Sequence, residues 1–262
     1  NLSIGSLDIR EGEVFAVIGP NGAGKTTLLD VIALLREAGA GSLEILGRDA
    51  FDGANRMFLR REMSVVFSQP YLINGTVHDN VALPLDLRGV SDRGRVAEML
   101  ELFKITALKD RNAHSLSHGE RHRVALARAF VTRPKLVLLD EPFSSLDARV
   151  KGAITQDLRK VIKAAGAAAV LVTQDQSEAL ALCDSMAVMI GGRIAQQGSP
   201  QDVFARPISK EAADFVGVET ILAGEISGKD ANLCSIKIGG NALEVISEYD
   251  AGDSVFVCVR PE

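Results

Sequence analysis

Apolar runs alternate with segments of helical periodicity along most of the 262-residue chain. Several of these runs are apolar at consecutive positions, which is typical of parallel β-strands covered on both faces. Helical patterns follow the first, fourth and fifth runs, and this alternation predicts an α/β fold. The runs that predict strands are VFAVI (14–18), SLEIL (42–46), MSVVF (63–67), KLVLLD (135–140), AVLVT (169–173) and MAVMI (186–190).

One region interrupts this alternation. It has no convincing strand-like run, and three helical patterns follow one another there, over about 76–88, 91–103 and 117–132. Ser91 and Ser117 stand at the start of the second and third patterns, and serine is a favoured residue at helix N-caps. We therefore predict a helical subdomain, over about 74–132, inserted into the α/β domain.

The sequence pattern changes again near residue 218. Beyond it, four short β-rich runs are separated by Gly, Asn and Asp turns, which is typical of an all-β domain. The stretch 199–217 is interpreted as helix and linker. These features predict two domains, an α/β domain over 1–217 and a small β-rich regulatory domain over 218–262. Because the chain starts without methionine and stops directly after a strand-like run, both ends are expected to be truncated.

Composition narrows the class of protein. With 47% apolar and 24% charged residues, the chain has the balance of a globular protein with a full core. Its net charge of −5 and its 5% of aromatic residues argue against nucleic-acid binding as the main activity. Three scattered cysteines show neither metal nor disulfide spacing and favour a reducing compartment. No apolar run approaches the roughly 20 residues of a membrane span, so a membrane role is expected to require a partner.

The segment GPNGAGKTT (19–27) matches the pattern G-x-x-x-x-G-K-[ST] between a predicted strand and a predicted helix, the context in which this pattern binds phosphate. Glycines let consecutive N–H groups converge on phosphate oxygens, and the helix adds its positive N-terminal end. Lys25 is expected to reach the β- and γ-phosphates and Thr26 to bind Mg²⁺; the alternative is a simple glycine-rich turn. The predicted nucleotide-binding residues are Gly19, Pro20, Asn21, Gly22, Ala23, Gly24, Lys25, Thr26 and Thr27.

Two adjacent acids, Asp140 and Glu141, end the predicted strand of KLVLLDEP. In a parallel sheet the carboxyl ends of the strands face the ligand crevice. Asp140 is therefore placed to hold Mg²⁺ through water, and Glu141 to accept a proton from an attacking water. A solvated turn is the alternative, but a phosphate loop in the same chain favours the catalytic interpretation.

The stretch LSHGE (116–120) has two interpretations. Ser117 and Glu120 form the Ser-x-x-Glu pattern of a capping box that opens an amphipathic helix. A capped helix start with Gly119 beside it is also an anion-binding site. The residues alone leave both interpretations open.

The order of these segments resembles the nucleotide-binding subunit of an ABC transporter, a P-loop NTPase, over essentially the whole chain. GPNGAGKTT is similar to the phosphate loop of that family, and LVLLDEP to its Walker B strand. The other matching segments are VFSQP with the Q-loop glutamine Gln69, the signature LSHGE, the D-loop SSLD (144–147) and the switch loop LVTQD (171–175). The resemblance implies an ATPase with ATP and Mg²⁺ as cofactors.

The resemblance also implies a second copy of the chain as partner. In this family two chains form a head-to-tail dimer around two ATP molecules, so Ser117 and Gly119 would close on the γ-phosphate bound by the other chain. Gln69 would bind Mg²⁺ and sense the attacking water, and Asp147 would link the two composite sites. Permease subunits would dock near residues 70–90 and connect the chain indirectly to a substrate-binding protein. The ATPase would then be cytoplasmic and peripheral on the inner face of the cell membrane.

Two residues depart from the family pattern. His118 replaces the first glycine of the signature, and Gln174 stands where the family has histidine. In the family that histidine contacts the γ-phosphate and holds the water and Glu141 in place. Glutamine can donate hydrogen bonds with comparable reach, but it cannot become positively charged or pass a proton. We therefore expect Gln174 to preserve ATP binding and dimer closure and to slow hydrolysis.

The C-terminal β-rich segment, together with the lack of a fused membrane span, resembles importer ATPases that carry an OB-like regulatory domain, here truncated. The stretches GTVHDNVALPLDLRG and VETILAGEI favour the tungstate or molybdate group. The alternatives are an importer of sugar, polyamine, sulfate or iron, a hydrolysis-impaired subunit, and a soluble ABC ATPase outside transport. The acidic balance and the short interval between Gln69 and Ser117 count against the last of these.

Overall fold

The computed structural model describes residues 2–144, 146, 148–218, 220–231 and 233–259, with the backbone alone at 148–150. No helix in these ranges is long and apolar enough to cross a membrane. The helices are α1 (Lys25–Ile32), α2 (Gly53–Glu62), α3 (Val77–Asp86), α4 (Arg93–Leu102), α5 (His118–Phe130), α6 (Ala148–Ala165), α7 (Gln176–Leu182), α8 (Pro200–Ala205) and α9 (Lys210–Phe215). The strands are β1 (Val14–Ile18), β2 (Glu44–Ile45), β3 (Arg48–Asp49), β4 (Met63–Val66), β5 (Leu136–Asp140), β6 (Ala168–Thr173), β7 (Ser185–Ile190), β8 (Arg193–Gly198), β9 (Thr220–Asp230), β10 (Leu233–Ile238), β11 (Asn241–Ile246) and β12 (Ser254–Val259).

The chain forms two compact units that divide between Val203 and Phe204. The first contains the elements up to β8, and the second contains α9 and the strands β9 to β12. The boundary predicted after residue 217 falls within the second unit, between its helix and its strands. We keep that boundary as a proposal for where the β-rich domain begins.

A six-stranded sheet, in the order β4-β5-β6-β1-β7-β8, lies at the centre of the first unit. Its neighbouring strands pair in parallel, except that β8 pairs antiparallel with β7. Every residue of β1 and β5 is buried, which explains why their sequences are apolar at consecutive positions. The predicted α/β fold class is confirmed, and five of the six predicted strands lie in this sheet.

The remaining predicted strand, SLEIL (42–46), was wrong in its extent and in its place. Only two of its residues form β2, which pairs antiparallel with β3 outside the main sheet. Leu46 and Gly47 connect the two strands with φ angles of 52° and 72°. Two consecutive positive φ angles are typical of the tight turn of a β-hairpin, so the chain reverses before a longer strand can form.

Besides the short strand β3, helix α2 and strand β8 of the first unit were not predicted. In α2 only Leu59 is buried, so the helix shows little apolar periodicity in its sequence. Strand β8 has the polar sequence RIAQQG and pairs with only one neighbour, because it lies at the edge of the sheet. Both elements therefore lack the apolar signal on which the sequence analysis depends.

Helices α3, α4 and α5 lie in the segment 74–132, and its assignment as an inserted helical subdomain remains a proposal. Ser117 and Glu120 make the expected capping box at the start of α5. The predicted cap at Ser91 was wrong, because Asp92 caps α4 and accepts a hydrogen bond from the amide of Arg95 at 2.8 Å. An aspartate caps as well as a serine does, and its negative charge also complements the positive end of the helix.

In the second unit, β9 to β12 form an antiparallel sheet in the order β11-β10-β9-β12. Ile226, Cys234 and Ile236 make a small buried core on it. A Cβ added at Gly224 would lie 2.6 Å from Cγ2 of Ile236, so the glycine lets this isoleucine pack against β9. The four β-rich runs thus form the four strands; their assignment to an OB-like regulatory domain remains a proposal.

Candidate functional site

The carboxyl ends of four neighbouring parallel strands carry most of the predicted site residues. The phosphate loop follows β1, and Gln69 follows β4. Asp140 ends β5 and Glu141 follows it, while Gln174 follows β6. Because β4, β5, β6 and β1 are consecutive neighbours in the sheet, these segments lie side by side at the carboxyl ends of its parallel strands. This position explains why the buried run AVLVT stops at a polar cluster.

The phosphate loop occupies residues 19–24, between β1 and α1. Gly22 and Gly24 have φ angles of 79° and 101°, in the region that favours glycine, and Gly24 is the N-cap of α1. A Cβ at Gly19 would lie 2.1 Å from the carbonyl oxygen of Met189, so only glycine fits there. The path of the backbone around the start of α1 therefore requires the three glycines of the motif.

Lys25 is the first residue of α1, and only 5% of it is exposed. Its Nζ donates hydrogen bonds to the carbonyl oxygens of Gly19, at 2.8 Å, and Pro20, at 3.1 Å. Burial lowers the pKa of this ammonium, while the negative charges of Glu141 and Asp140 oppose that change. The loop thus encloses a positive charge close to two acids, Asp140 at the end of β5 and Glu141 directly after it.

Thr26 and Asp140 contact each other directly. The hydroxyl of Thr26 donates a hydrogen bond of 3.1 Å to Oδ1 of Asp140, which is 7% exposed. Burial raises the pKa of Asp140, and the hydrogen bond from Thr26 opposes this rise. A hydroxyl and a carboxylate oxygen at the mouth of a phosphate loop are the donor types that Mg²⁺ prefers, so these two side chains fit the predicted metal site.

Glu141 follows β5 directly and has a φ angle of 43°, which is uncommon for a residue with a side chain. Its amide donates to the carbonyl oxygen of Val172 at 2.8 Å, and its own carbonyl oxygen accepts from the amide and hydroxyl of Ser144 at 3.2 and 3.1 Å. Such backbone strain persists only where neighbouring contacts impose it, and it concentrates at functional sites. These contacts involve only the backbone of the half-buried Glu141, so none of them occupies its carboxylate.

Both glutamines of the candidate site are exposed. Gln69 lies in a bend after β4, and Gln174 lies between the buried Thr173 and the half-buried Asp175. Asp175 caps α7, since its Oδ1 accepts from the amides of Ser177 at 2.9 Å and Glu178 at 3.2 Å. We call residues 173–178 the switch turn. Its backbone is fixed on both sides of Gln174, whose side chain extends from the surface.

The switch turn contains an ionic cluster that the sequence analysis missed. The ammonium of Lys151, on α6, forms ion pairs with Asp175 and with Glu178, the latter at 2.6 Å. The sequence signal for Glu178 was its place three residues after the cap Asp175, the spacing of a capping box. Lys151 lies 24 residues before Asp175 in the chain, and no local pattern connects them.

Asp175 gives the protein a predicted dependence of stability on pH. Burial raises its pKa, but hydrogen bonds from Lys151, Ser177 and the amide of Glu178 outweigh that effect and lower the pKa to about 2. A carboxyl group whose pKa is lower in the folded state stabilises the fold above its unfolded pKa of about 3.9 and loses this contribution as the pH falls toward 2.

We therefore expect Asp175→Asn to lower the free energy of unfolding of the first unit by about 1 kcal/mol at pH 7, because solvent screening reduces the contribution of a partly exposed group. The difference between variant and wild type should shrink between pH 4 and pH 2. Denaturant unfolding at several pH values measures it. An equal difference at all pH values would show that the charge of Asp175 does not stabilise the fold.

The signature residues lie at the start of α5, not at the strand ends. Ser117 is an exposed N-cap whose amide and hydroxyl donate to Oε2 of Glu120 at 2.7 and 2.8 Å. These two hydrogen bonds lower the pKa of Glu120. Gly119 is half-buried in the first turn of α5. The D-loop residue Asp147 lies outside the described residues.

His118, the unusual residue of the signature, is exposed, and its ring lies against the ring of His122, with centroids 4.7 Å apart. His122 is fully buried, and its Nδ1 lies 3.2 Å from the carbonyl oxygen of His118. Burial lowers the pKa of His122. The side chain of His118 therefore covers the next turn of its own helix.

A phosphate loop that opens a helix, with two acids at the end of another strand of the same parallel sheet, defines a P-loop nucleotide-binding protein. The family model described as ABC transporter matches residues 2–144. This chain belongs to the ABC transporter family. The predicted enzyme class, an ABC-type ATPase, is thereby confirmed. The predicted cofactors, ATP and Mg²⁺, fit this class of protein. The oxygen atoms of Thr26 and Asp140 are of the kind that binds Mg²⁺.

Curated relatives match the chain over nearly its whole length. The spermidine/putrescine import ATP-binding protein PotA of Trichormus variabilis is 40% identical over 98% of this chain and 69% of its own length. PotA of Mesorhizobium japonicum is 38% identical over 98% of this chain and 72% of its own length. The sulfate/thiosulfate import ATP-binding protein CysA 2 of Chromobacterium violaceum is 38% identical, with coverages of 98% and 69%.

Two solved structures are similar as well. CbiO1 from Clostridium perfringens, part of the ABC transporter complex cbiONQ, has a TM-score of 0.71 and 31% identity, over 81% of this chain and 86% of its own. The dimeric ATP-binding cassette MJ0796, in a post-hydrolysis state with ADP and Pi, has a TM-score of 0.67 and 30% identity. The match covers 74% of this chain and 88% of MJ0796. Both similarities confirm the P-loop ABC ATPase fold.

Proposed function

We propose that this chain is the subunit that binds and hydrolyses ATP to drive an ABC importer. The observation that carries the proposal is the arrangement of Lys25, Thr26, Asp140 and Glu141 at one edge of the sheet. It combines a cation for phosphate, a hydroxyl and a carboxylate for Mg²⁺, and a second carboxylate for the attacking water. The relatives named as import ATP-binding proteins, matched over 98% of the chain, support this function.

In the proposed mechanism, the amides of the phosphate loop and the N-terminus of α1 bind the β- and γ-phosphates. Lys25 exchanges its hydrogen bonds with the loop carbonyls for bonds with phosphate oxygens. Thr26 would ligate Mg²⁺ directly and Asp140 would do so through water; this ion, when bound, offsets the negative charge of the phosphates. The residues of the chain thus prepare the γ-phosphate for transfer to water.

Three residues would act on the attacking water or on the γ-phosphate. Glu141 would accept the proton of the water as a general base. Gln69, three residues beyond the end of β4, would help to hold Mg²⁺ and the water. Gln174, from the end of β6, donates a hydrogen bond to the γ-phosphate. A glutamine in this position keeps the contact but lacks the charge of an imidazolium, which supports the proposal of a slow hydrolytic step.

We further propose that the complete site needs a second copy of the chain. Ser117 and Gly119 lie at the N-terminus of α5, in the helical subdomain, and Ser117 is exposed. An exposed helix start can bind the γ-phosphate of a nucleotide that another chain holds. The dimeric state of MJ0796 supports this arrangement. Asp147 would then link the two composite sites.

Dimerisation tests this part of the proposal. The Glu141→Gln variant should form dimers in the presence of Mg²⁺ and ATP and stay monomeric with Mg²⁺ and ADP, as measured by size-exclusion chromatography with light scattering. Gly119→Asp added to this variant is the matched control. Aspartate suits the first turn of a helix but repels a phosphate, so the double variant should fold and remain monomeric. A Glu141→Gln protein that binds ATP and never dimerises would contradict the two-chain site.

Permease subunits are the proposed membrane partner, and their docking surface is the region of residues 70–90. Tyr71 and Leu87 in this region are 81% and 77% exposed, so both side chains are accessible to a docked partner. The region follows Gln69 directly, so a docked subunit could respond to the state of the nucleotide site. The chain would then work on the inner face of the cell membrane as a peripheral, cytoplasmic subunit, with β9 to β12 as a regulatory domain.

For the cargo, we propose a polyamine, with sulfate as the second candidate. The relatives described above are named for spermidine and putrescine or for sulfate and thiosulfate. None of them supports the tungstate or molybdate import favoured by the sequence stretches. Uptake of labelled spermidine and of labelled sulfate by cells that express the chain tests the two candidates. A polyamine importer should lose spermidine uptake, and keep sulfate uptake, when Glu141→Gln replaces the wild type.

A further inference from the structure

The ammonium of Lys151 lies between the two acids of the switch turn. Only 20% of its side chain is exposed, and it forms ion pairs with Asp175 and with Glu178, at 2.6 Å from Oε1 of the latter. The side chain of Glu178 is 2% exposed. Lys151 belongs to α6, whereas both acids follow β6, so these ion pairs connect two elements that are distant in the sequence.

The other oxygens of the two acids fix the backbone on either side of Gln174. Oε2 of Glu178 accepts a hydrogen bond of 2.5 Å from the hydroxyl of Thr173. That hydroxyl accepts one of 3.0 Å from the amide of Asp175. The residues before and after Gln174 therefore belong to one network, and Lys151 connects this network to α6.

The start of α7 does not require the ion pairs with Lys151. The side chain of Asp175 by itself caps α7, since it accepts from the amides of Ser177 and Glu178. Burial raises the pKa of Glu178 and so opposes its ionisation, while the contacts with Lys151 and Thr173 favour its charged form. A buried ion pair often contributes little net stability, because both charges lose their hydration. What the two ion pairs supply is a fixed position of the switch turn, because Asp175 and Glu178 must both reach the ammonium of Lys151.

We propose that Lys151 is a positioning residue that holds the switch turn against α6 and so aims Gln174 at the γ-phosphate. This inference rests on the role proposed for Gln174. Helix α6 follows the D-loop sequence SSLD directly, so Lys151 also couples the switch turn to the helix that begins where that loop ends. Precise placement matters, because a shift of about 1 Å in a reacting group can change a rate about 10²-fold.

Lys151→Met tests the proposal in the full-length chain. It should lower kcat for ATP hydrolysis about 10- to 10²-fold and change the Kd for ATP by less than about twofold, since Lys151 is not placed to touch the nucleotide. Lys151→Arg should recover most of the rate, because a guanidinium can reach both acids. Lys163→Met is the matched control, because Lys163 lies on the same helix and pairs with Asp184 at 2.6 Å. It should leave kcat unchanged.

The decisive measurement combines Lys151→Met with Gln174→Ala. If Lys151 acts through Gln174, Lys151→Met should lower kcat by less than about twofold in the Gln174→Ala background. Equal losses in both backgrounds, or a wild-type rate in Lys151→Met itself, would overturn the proposal. A wild-type rate in Gln174→Ala would overturn it together with the role of Gln174. Failure of the ATPase function would be distinct, because the wild type and Glu141→Gln would then have the same rate.

Discussion

Replacing Glu141 with glutamine should lower the rate of ATP hydrolysis about 10²- to 10⁴-fold, the usual contribution of a general base. The substitution keeps the size of the side chain and removes only its ability to accept a proton. The strained backbone at position 141 should be preserved, because its hydrogen bonds to Val172 and Ser144 involve only the main chain of this residue. Phosphate release at saturating ATP measures the loss.

The same variant should bind ATP with nearly the affinity of the wild type, since Lys25 and Thr26 are unchanged. Glu101→Gln, at an exposed position on α4, is a control for the loss of one negative charge and should hydrolyse ATP at the wild-type rate. A Glu141→Gln enzyme that releases phosphate at a rate close to that of the wild type would show that another group accepts the proton.

Replacing Gln174 with histidine should raise kcat about 10²- to 10³-fold, the typical effect of one oriented, charge-assisted donor in a transition state. The glutamine side chain is exposed, and the switch turn fixes its backbone, so an imidazole can take its place without repacking. Imidazole can carry a positive charge near neutral pH and can pass a proton, which an amide cannot. The Kd for ATP should change much less than kcat.

Gln156→His on the exposed side of α6 is the matched control for this gain, because it adds an imidazole away from the site. It should leave the rate unchanged. A rate of Gln174→His within about twofold of the wild type would mean that the glutamine does not limit hydrolysis. The expectation of a slowed subunit would then be wrong, while the ATPase function would stand.

Local patterns predicted the parts of the molecule that depend on local physics. The buried strands β1 and β5, the phosphate loop and the capping box of Ser117 each have their cause within a few neighbouring residues. Ser91 shows the limit of this reasoning, because two adjacent residues could both cap α4 and Asp92 does so. The sequence SLEIL shows another limit, since the turn after it decides how far the strand extends.

The candidate site was predicted as far as its motifs extend. The order in which the motifs lie side by side follows from the order of the strands in the sheet. The resemblance to the family implies this strand order, whereas composition and periodicity do not. The cluster of Lys151, Asp175 and Glu178 could not be predicted, because it forms only when α6 packs beside the switch turn. Contacts between distant segments leave no local pattern in the sequence. Here such contacts hold the residues on both sides of Gln174, which replaces the histidine of the family.

The hydrogen bonds of Lys25 to the carbonyl oxygens of Gly19 and Pro20 have a consequence for ligand selectivity. An anion that attracts the ammonium must compete with two acceptors already in place, so binding is an exchange and not a simple addition. A small monovalent anion would make too few contacts to displace these two carbonyl oxygens from the ammonium of Lys25. We expect a polyphosphate chain to displace these oxygens, because it would also accept hydrogen bonds from the surrounding amides. The loop would then select its ligand before any base or sugar is recognised.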